Sequence, residues 1–268
     1  MITTSHAILA GKTILVTGVV NEDSIAFATA RAVQAQGGTV VLSALGRDLE
    51  AAKATAQHLA SESTIVEADL TDDEAVRALE VQVRNEHECL DGAVHAVAFA
   101  PRTALAGEFL ATEYDAVQRA FHASTFTYAS LARVLAALAP AKGGSLVGLD
   151  FAADGAWPVY NWMGVCKAGL ESVNRYVARD LGPRHIRANL VAAGPIHTRA
   201  AGGIPDFERL TDAWEAQSPL PWDPKDTAPV ADAVCFLLSD LARMVTGAIL
   251  PVDGGYHAMA APLRSPTK

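Results

Sequence analysis

The chain has 268 residues, of which 50% are hydrophobic and 19% are charged, and its formal net charge is −9. This length and apolar content favour one α/β domain covering residues 1–268. The acidic balance argues against a nucleic-acid partner. Cys89, Cys166 and Cys235 lack the spacing of metal ligands, so we expect no metal site and a reducing compartment.

Membrane contact is not expected from the sequence. No stretch is long and apolar enough to span a bilayer, and the apolar run at 7–10 is too short for the core of a signal peptide. We therefore expect a cytoplasmic protein.

Short apolar runs rich in β-branched residues recur along the chain and predict seven strands. The strands are expected at 13–18, 39–44, 63–70, 92–99, 143–151, 186–194 and 247–255. Segments with helical periodicity lie at 24–36, 48–60, 72–87, 113–139, 160–181 and 226–239. Thr71 to Glu74 indicates a capping box before the third helix. Apolar strands that alternate with helices predict a doubly wound, seven-stranded parallel sheet of the Rossmann type.

The segment 197–226 is rich in Gly and Pro and interrupts this alternation between the sixth and seventh strands. Irregular segments at this kind of position often cover a ligand. We expect a substrate-binding loop at about 197–219.

The turn after the first strand contains Gly18, five residues without glycine, and then Ser24. In a doubly wound sheet this turn faces the ligand crevice, and the amides of the following helix can hold a pyrophosphate. The pattern G-x-G-x-x-G is absent. By itself, the turn is better explained by a glycine turn and an N-cap serine.

Tyr160 and Lys167 lie seven positions apart on one predicted helix. Helix geometry leaves their side chains only ~20° apart around the axis and ~10 Å apart along it. From the pair alone, a core aromatic residue beside a snorkelling lysine explains the spacing as well as a catalytic pair does.

Taken together, these features resemble the divergent branch of the short-chain dehydrogenase/reductase family. Its first turn runs G-x5-S-x-A, which Gly18, Ser24 and Ala26 match. The chain is more narrowly similar to enoyl-acyl carrier protein reductases of the mycobacterial type. The similarity covers about Gly11 to His257 and is carried by "SIAF" (24–27), "GLDF" (148–151), "YNWM" (160–163), "KAGLESVNRYVAR" (167–179), "RANLVAAGPIHT" (187–198) and "VDGGYH" (252–257).

The resemblance implies reduction of 2-enoyl thioesters, carried by acyl carrier protein or coenzyme A, with NADH in fatty acid biosynthesis. Hydride addition at C3 creates an enolate, and Tyr160 is implied as the donor to its oxygen, an interaction worth about 3 kcal/mol. Lys167 would hold the nicotinamide ribose, and Phe151 would guide the double bond. Gly164 stands where ketone and alcohol reductases of the larger branch carry the lysine.

The resemblance also implies two sets of binding residues. The cofactor is expected to contact Lys167 together with Gly18, Val19, Ser24, Ile25, Leu45, Asp69, Leu70, Ala96, Val97, Ala98, Asp150, Ala193, Gly194, Pro195, Ile196 and Thr198. The substrate is expected to contact Phe99, Phe151, Tyr160, Met163, Ile204 and Phe207. A short amphipathic helix that covers the acyl chain, or equally packs in the core, is indicated by the spacing of Ala200, Ile204, Phe207, Leu210 and Trp214.

Two departures from the family bear on the cofactor. The fourth-strand motif, His-Ser-Ile-Gly-Phe in similar members, reads His-Ala-Val-Ala-Phe at 95–99, which removes a hydroxyl and adds a methyl beside the dinucleotide. We expect altered cofactor affinity. Leu45 offers no carboxylate to the adenosine ribose and Arg47 could accept a phosphate, so NADPH stays open behind NADH.

The family also implies how the protein assembles and what it meets. We expect a homotetramer with the seventh strand and the tail at 254–263 near an interface. Acyl carrier protein is acidic, so Arg102, Arg199 and Arg209 are candidates for a local basic patch, or are simply solvated. The loop at 197–219 lacks an extension that the mycobacterial type carries, which predicts a preference for short and medium acyl chains.

Two other functions stay open at this stage. One is a short-chain reductase that acts on another activated alkene or on a carbonyl. The other is a catalytically silent regulator that binds a dinucleotide, which the presence of Tyr160, Lys167 and Phe151 disfavours.

Overall fold

A single parallel sheet of seven strands organises the protein, as a computed structural model that describes residues 7–264 shows. The strands lie side by side in the order β3-β2-β1-β4-β5-β6-β7. They are β1 (Thr13–Thr17), β2 (Thr39–Ala44), β3 (Thr64–Glu67), β4 (Gly92–His95), β5 (Gly144–Asp150), β6 (Ile186–Ala193) and β7 (Ile249–Val252). The predicted doubly wound parallel sheet is confirmed.

Helices cover both faces of this sheet. They are α1 (Ile25–Ala35), α2 (Leu49–Ala56), α3 (Asp73–Glu86), α4 (Arg102–Leu105), α5 (Tyr114–Phe121), α6 (Thr127–Leu138), α7 (Asn161–Leu181), α8 (Glu208–Gln217) and α9 (Ala228–Leu238). Ile14 and Val16 pack in the core under α1 and α9, whereas Leu15 packs in the core under α3, α6 and α7. Successive strand side chains point to opposite faces, so a near-continuous apolar strand fills both cores.

The order of the strands creates a crevice at one edge of the sheet. From β1 the chain first adds β2 and β3 on one side and then β4 to β7 on the other. Ligands bind at such a switch point, beyond the carboxyl ends of the strands. The residues that follow β1 and β4 therefore define the centre of the candidate site.

The cap of α3 differs from the sequence-based prediction. Asp72 is the N-cap, and its Oδ1 accepts hydrogen bonds from the amides of Glu74 at 2.7 Å and Ala75 at 3.1 Å. The Thr71 hydroxyl instead donates to Asp69 at 2.6 Å. The capping box at Thr71 was therefore wrong, because one carboxylate satisfies two helix amides directly.

The segment predicted as one helix at 113–139 is divided by a π-helical turn at His122–Phe126. Ser124 in this turn both donates to the carbonyl of Phe99 and accepts from its amide, each at 2.9 Å. Thr125 donates to the carbonyl of Cys166 at 2.7 Å. π-Helical turns are frequent at functional sites. This one holds the segment after β4 against α7 through the bonds of Ser124 and Thr125. No helix within residues 7–264 has the length and apolar character needed to cross a membrane.

Candidate active site

Gly18 lies at the centre of the crevice, directly after β1. Its φ is 81°, and a Cβ at this position would collide with the carbonyl oxygen of Ala96. The Thr17 hydroxyl donates to the carbonyl of Val94 at 2.9 Å and accepts from the amide of Ala96 at 3.1 Å. The turns after β1 and β4 are thus held against each other, and only glycine fits at their contact.

Helix α1 begins directly after Ser24. The Ser24 hydroxyl accepts from the amide of Phe27 at 3.0 Å and donates to the carbonyl of Asn21 at 2.8 Å, so it serves the helix as an N-cap. The amides of the first turn, including that of Ile25, have no acceptor within a helix and suit an anionic ligand. Val19 is fully buried in the core, so its side chain does not face a ligand.

The ends of β2 and β3 provide one partly open surface. Leu45 is half-buried and Arg47 is exposed. Asp69 is exposed, and its Oδ1 accepts from the amide of Thr71 at 2.9 Å. Leu70 is buried in the core. Of the predicted pair Asp69 and Leu70, only Asp69 presents its side chain to solvent at the crevice edge.

The segment after β4 lies on the rim of the site. Ala96 and Val97 are half-buried, whereas Ala98 is exposed and Phe99 keeps 49% of its surface exposed. The Phe99 backbone is held by Ser124, as described above. Phe99 is therefore placed at a mouth of the site and not inside a closed pocket.

Tyr160 is the N-cap of α7, one residue before the helix begins. Its neighbours both have left-handed backbone, with φ of 58° at Val159 and 32° at Asn161. Such residues cost about 1–3 kcal/mol each and persist where the surroundings impose them. The side-chain amide of Asn161 donates to the carbonyl of Gly107 at 3.1 Å. The expectation that Tyr160 lies within the helix was wrong by this one residue.

The ring of Tyr160 packs in a small apolar cluster. Its centroid is 5.0 Å from that of Phe151, and Met163 is 6% exposed in the same cluster. Burial raises the pKa of the Tyr160 phenol far above its ordinary value, and the charge of Asp150 acts in the same direction. The phenol is therefore neutral at physiological pH and keeps the proton that it can donate in a hydrogen bond.

Lys167 points to the end of β5 from α7. Its Nζ donates to the carbonyl of Leu149 at 2.8 Å and lies 4.0 Å from Oδ1 of Asp150. Burial lowers the pKa of Lys167, and the nearby Asp150 raises it. The ammonium is held at the carboxyl edge of the sheet with donor capacity to spare.

His95 lies beneath the site at the end of β4 and is 1% exposed. Its Nε2 is 2.8 Å from the Thr127 hydroxyl, and its ring meets Tyr128 edge to face. Burial lowers the pKa of His95 to about 3, and the charge of Lys167 acts in the same direction. The imidazole is therefore neutral and belongs to the structural floor of the site.

The segment after β6 forms the opposite wall. Ala193, Gly194, Pro195 and Ile196 are buried. A Cβ on Gly194 would lie 2.7 Å from both Trp214 Nε1 and the Trp222 ring. The half-buried Thr198 accepts from the amide of Ala201 at 3.1 Å, so its hydroxyl stabilises the start of the loop.

An aromatic cluster joins three distant segments beside Phe151. Trp214 stacks on Tyr256 with centroids 3.8 Å apart, and Trp157 lies 5.1 Å from Trp214 and 5.3 Å from Phe151. Neither Trp157 nor Tyr256 was predicted as a site residue. Their sequence signal is weak, since an aromatic residue before Tyr160 and another after a Gly-Gly pair meet only in the folded chain.

The loop at 197–219 contains a shorter helix than its spacing predicted. Leu210 and Trp214 are buried on α8, which begins only at Glu208. Ile204 and Phe207 precede this helix and are half-buried against the same apolar cluster. The predicted amphipathic helix is therefore present in its second half alone, where Leu210 and Trp214 pack in the core.

A doubly wound sheet with a glycine turn at its switch point and a buried tyrosine and lysine beside it defines a reductase of the Rossmann type. Residues 18–257 match the family model described as enoyl-(acyl carrier protein) reductase. The chain therefore belongs to the enoyl-acyl carrier protein reductase family.

Three similar proteins carry names of the same family. The chain is 39% identical to the enoyl-acyl-carrier-protein reductase (NADH) of Mycolicibacterium smegmatis, over 92% of this chain and 97% of that protein. It is also 39% identical to the protein of the same name from Mycobacterium avium, with the same coverage. The corresponding protein of Bacillus cereus is 37% identical over 94% of this chain and 99% of its own length.

The buried His95 and Asp150 predict opposing pH dependences of stability. Because the pKa of His95 is lowered, its contribution to the free energy of unfolding is fully present above about pH 6.5. This contribution is lost as the pH falls toward about 3. The raised pKa of Asp150 gives a contribution that is present at low pH and lost as pH rises through about 7. Between these limits the two slopes largely cancel.

We therefore expect His95→Gln to expose the Asp150 slope. Glutamine can still bond Thr127 but cannot ionise, so the unfolding free energy of the ligand-free variant should rise from about pH 6.5 to pH 5 relative to the native protein, by up to about 1.4 kcal/mol per pH unit. Urea unfolding at fixed protein concentration measures this. His122→Gln, at an exposed position, is the control. Parallel pH profiles for all three proteins would contradict the assignment.

Proposed function

We propose that this protein reduces 2-enoyl thioesters to saturated acyl thioesters with NADH, in fatty acid biosynthesis. The observation that carries the proposal is the buried neutral phenol of Tyr160, packed against Phe151, with the Lys167 ammonium on the same helix. The similar proteins of M. smegmatis and M. avium are named as NADH enzymes of this activity. We further propose that residues 1–268 form one reductase domain, located in the cytoplasm.

The residues of the crevice fit a dinucleotide. Gly18 leaves the backbone free of side-chain bulk where the β1 and β4 turns meet, and the first turn of α1 offers amides to a pyrophosphate. Both carboxylate oxygens of Asp150 are buried without a hydrogen-bond partner among the described residues, which suits a site that a polar ligand completes. Lys167 would hold the nicotinamide ribose. When bound, NADH supplies the hydride.

In this proposal Tyr160 activates the substrate by donating a hydrogen bond to its thioester oxygen. Hydride addition at C3 places negative charge on the thioester oxygen, and a neutral phenol can donate a hydrogen bond to it. The strained backbone on either side of Tyr160 is held by two side-chain hydrogen bonds. The side chain of Asn161 donates to the carbonyl of Gly107, and the Trp162 indole donates to the carbonyl of Phe109 at 3.2 Å. The donor is thus held in place before the substrate arrives, so little reorganisation is needed.

The names of the similar proteins favour NADH over NADPH, since the relatives from M. smegmatis and M. avium are NADH enzymes. After β2, the Nε of Arg47 lies 3.5 Å from the Asp48 carboxylate. Arg199 lies 3.8 Å from the same carboxylate. Asp48 would repel a phosphate on the adenosine ribose, but the two arginines outweigh its charge, so these contacts leave NADPH open behind NADH.

The surface supports assembly into a homotetramer. Phe121, Phe126 and Val165 are each more than 40% exposed along α5, the π turn and α7. Strand β7 is the outer strand at one side of the sheet. Exposed apolar stripes and a free sheet edge are the surfaces that symmetric copies bury.

Replacement of Tyr160 by Phe tests the reaction directly. The variant keeps the packing but loses the donor, so kcat with crotonyl thioesters should fall by about 10²–10³-fold while NADH affinity stays within about twofold. Tyr176→Phe, on the exposed side of α7, is the matched control. Absorbance loss of NADH and a fluorescence titration provide the two measurements.

Other outcomes of this assay would favour the alternatives. Turnover of ketoacyl thioesters in preference to crotonyl thioesters would indicate a carbonyl reductase. NADH binding without turnover of any enoyl thioester would indicate a silent dinucleotide-binding protein. Full activity of Tyr160→Phe would remove the assigned donor.

Chain-length preference is the second test. Each buried methylene contributes about 0.8 kcal/mol, or about a fourfold gain in kcat/KM. Trp157, Trp214 and Tyr256 fill the space beyond Phe151, so the gain should stop once the chain meets these rings. We expect kcat/KM to rise up to medium enoyl chains and then level off. A steady rise to hexadecenoyl thioesters, measured below their micelle-forming concentrations, would show that the rings do not limit the chain.

Delivery of the substrate by acyl carrier protein is the third test. Arg102, Arg199 and Arg209 are exposed on α4, on the loop after β6 and on α8. Replacing the three by Glu should raise KM for carrier-bound substrates at low salt and leave coenzyme A substrates nearly unchanged. Arg31→Glu, exposed on α1, is the control. Equal losses on both substrates would argue against the patch.

A further inference from the structure

The Asp150 carboxylate at the end of β5 is fully buried with few polar partners. Neither Oδ1 nor Oδ2 has a hydrogen-bond partner of good geometry among the described residues, and the backbone amide of Phe151 is the one backbone donor near enough to lower the Asp150 pKa. Burying a charge is costly unless it is paired and hydrogen-bonded. The cation beside it is Lys167, whose Nζ lies 4.0 Å from Oδ1.

Lys167 has donor capacity beyond its one protein bond. Its side chain is 8% exposed, and one N–H goes to the carbonyl of Leu149 at 2.8 Å. An ammonium has three donors, so two remain for Asp150 and for a ligand. Burial disfavours the charged amine, and the ionised carboxylate of Asp150 counteracts this.

The other polar groups around Asp150 cannot replace this effect. They are Glu171 and Cys166 on α7, Tyr160 before α7, Tyr128 on α6, and His95 on β4, which acts on Lys167. Each is neutral or negative near pH 7, because burial holds both phenols, the thiol and the imidazole in their uncharged forms. Because none of these groups is a cation, the charge of Asp150 and the charge of Lys167 depend on each other.

We propose that Asp150 is a positioning residue: its ionised carboxylate keeps the Lys167 ammonium charged and aimed at the cofactor ribose, so that loss of the Asp150 charge loosens cofactor binding. This inference rests on the proposed function, since it assigns the partner of Lys167 within that site. The inference adds to the site a residue that acts through Lys167 and does not itself contact the reacting atoms.

The pH range of this device follows from the burial of Asp150. Burial raises the pKa of Asp150 to about 7, against the opposing effect of Lys167. Below that pH the carboxyl is neutral and Lys167 loses its counter-charge. If NADH binds the ionised form more tightly, linkage requires that binding release a proton, with its maximum near pH 7.

Proton release by the native protein is the primary experiment. Calorimetric titration with NADH in buffers of different ionisation enthalpy, between about pH 5.5 and 8.5, counts the protons released. We expect release with a maximum near neutral pH and an NADH Kd that rises on acidification by at most about tenfold per pH unit. Binding of NADH with no proton released would overturn the inference and leave the proposed function intact. Failure to bind NADH at all would remove the proposed function.

Variants then assign the effect. Asp150→Asn should weaken NADH by about 5- to 150-fold at pH 8 and abolish the proton release, and Asp150→Glu should restore part of both. In a double-mutant cycle, Asp150→Asn should cost little once Lys167 is Ala, because its route is already lost. Additive losses in that cycle would contradict action through Lys167.

His87 provides the matched control. It is a half-buried histidine at the end of α3, with Nε2 3.1 Å from the hydroxyl of Thr64 at the start of β3, on the edge of the sheet opposite the crevice. His87→Gln should keep the proton release of the native protein. Proton release that persists in Asp150→Asn would overturn the inference, whatever the control does.

Discussion

The parallel alignment of β1, β4, β5 and β6 is the constraint on which the site depends. Since all four strands end on the same edge, residues far apart in the chain become neighbours there. The ladder between β5 and β6 pairs Asp150 with Ala192, directly before the wall at Gly194. The ladder between β1 and β4 pairs Val16 with Val94, one residue from Thr17, which ties both turns together. A one-residue slip would move every strand side chain from one core to the other, so the separate packing of the two cores protects the geometry of the site.

The sequence contained most of the fold because strand and helix signals are local. Seven apolar runs with helical segments between them specify a parallel sheet with covered faces, and the structure has those seven strands. The predictions were wrong where a side-chain hydrogen bond decides the local structure. Asp72 replaces Thr71 as a cap because its carboxylate reaches two amides. The π turn arises because Ser124 and Thr125 bond to residues after β4 and on α7, which a local pattern cannot show.

The sequence named candidate site residues, but it predicted their arrangement only in part. The family resemblance identifies Tyr160 and Lys167 as candidates. Helix periodicity, however, predicted Tyr160 inside α7, whereas in the structure Tyr160 is the N-cap of this helix. The left-handed conformations of Val159 and Asn161 oppose local preference and are imposed by tertiary contacts. The ring cluster of Trp157, Trp214 and Tyr256 joins three segments that only the fold brings together.

Burial explains why the same edge can hold an acid, a base and a phenol without ionising all of them. Desolvation pushes the pKa of Asp150 and of Tyr160 upward and that of Lys167 downward, so each group loses charge unless a neighbour restores it. Only the pair Asp150 and Lys167 has opposite signs close enough to compensate. Tyr160 lacks a cation at contact distance among the described residues and keeps its proton. In the proposed reaction, the low dielectric that makes the pair costly would therefore also make the phenol a better donor to a developing negative charge.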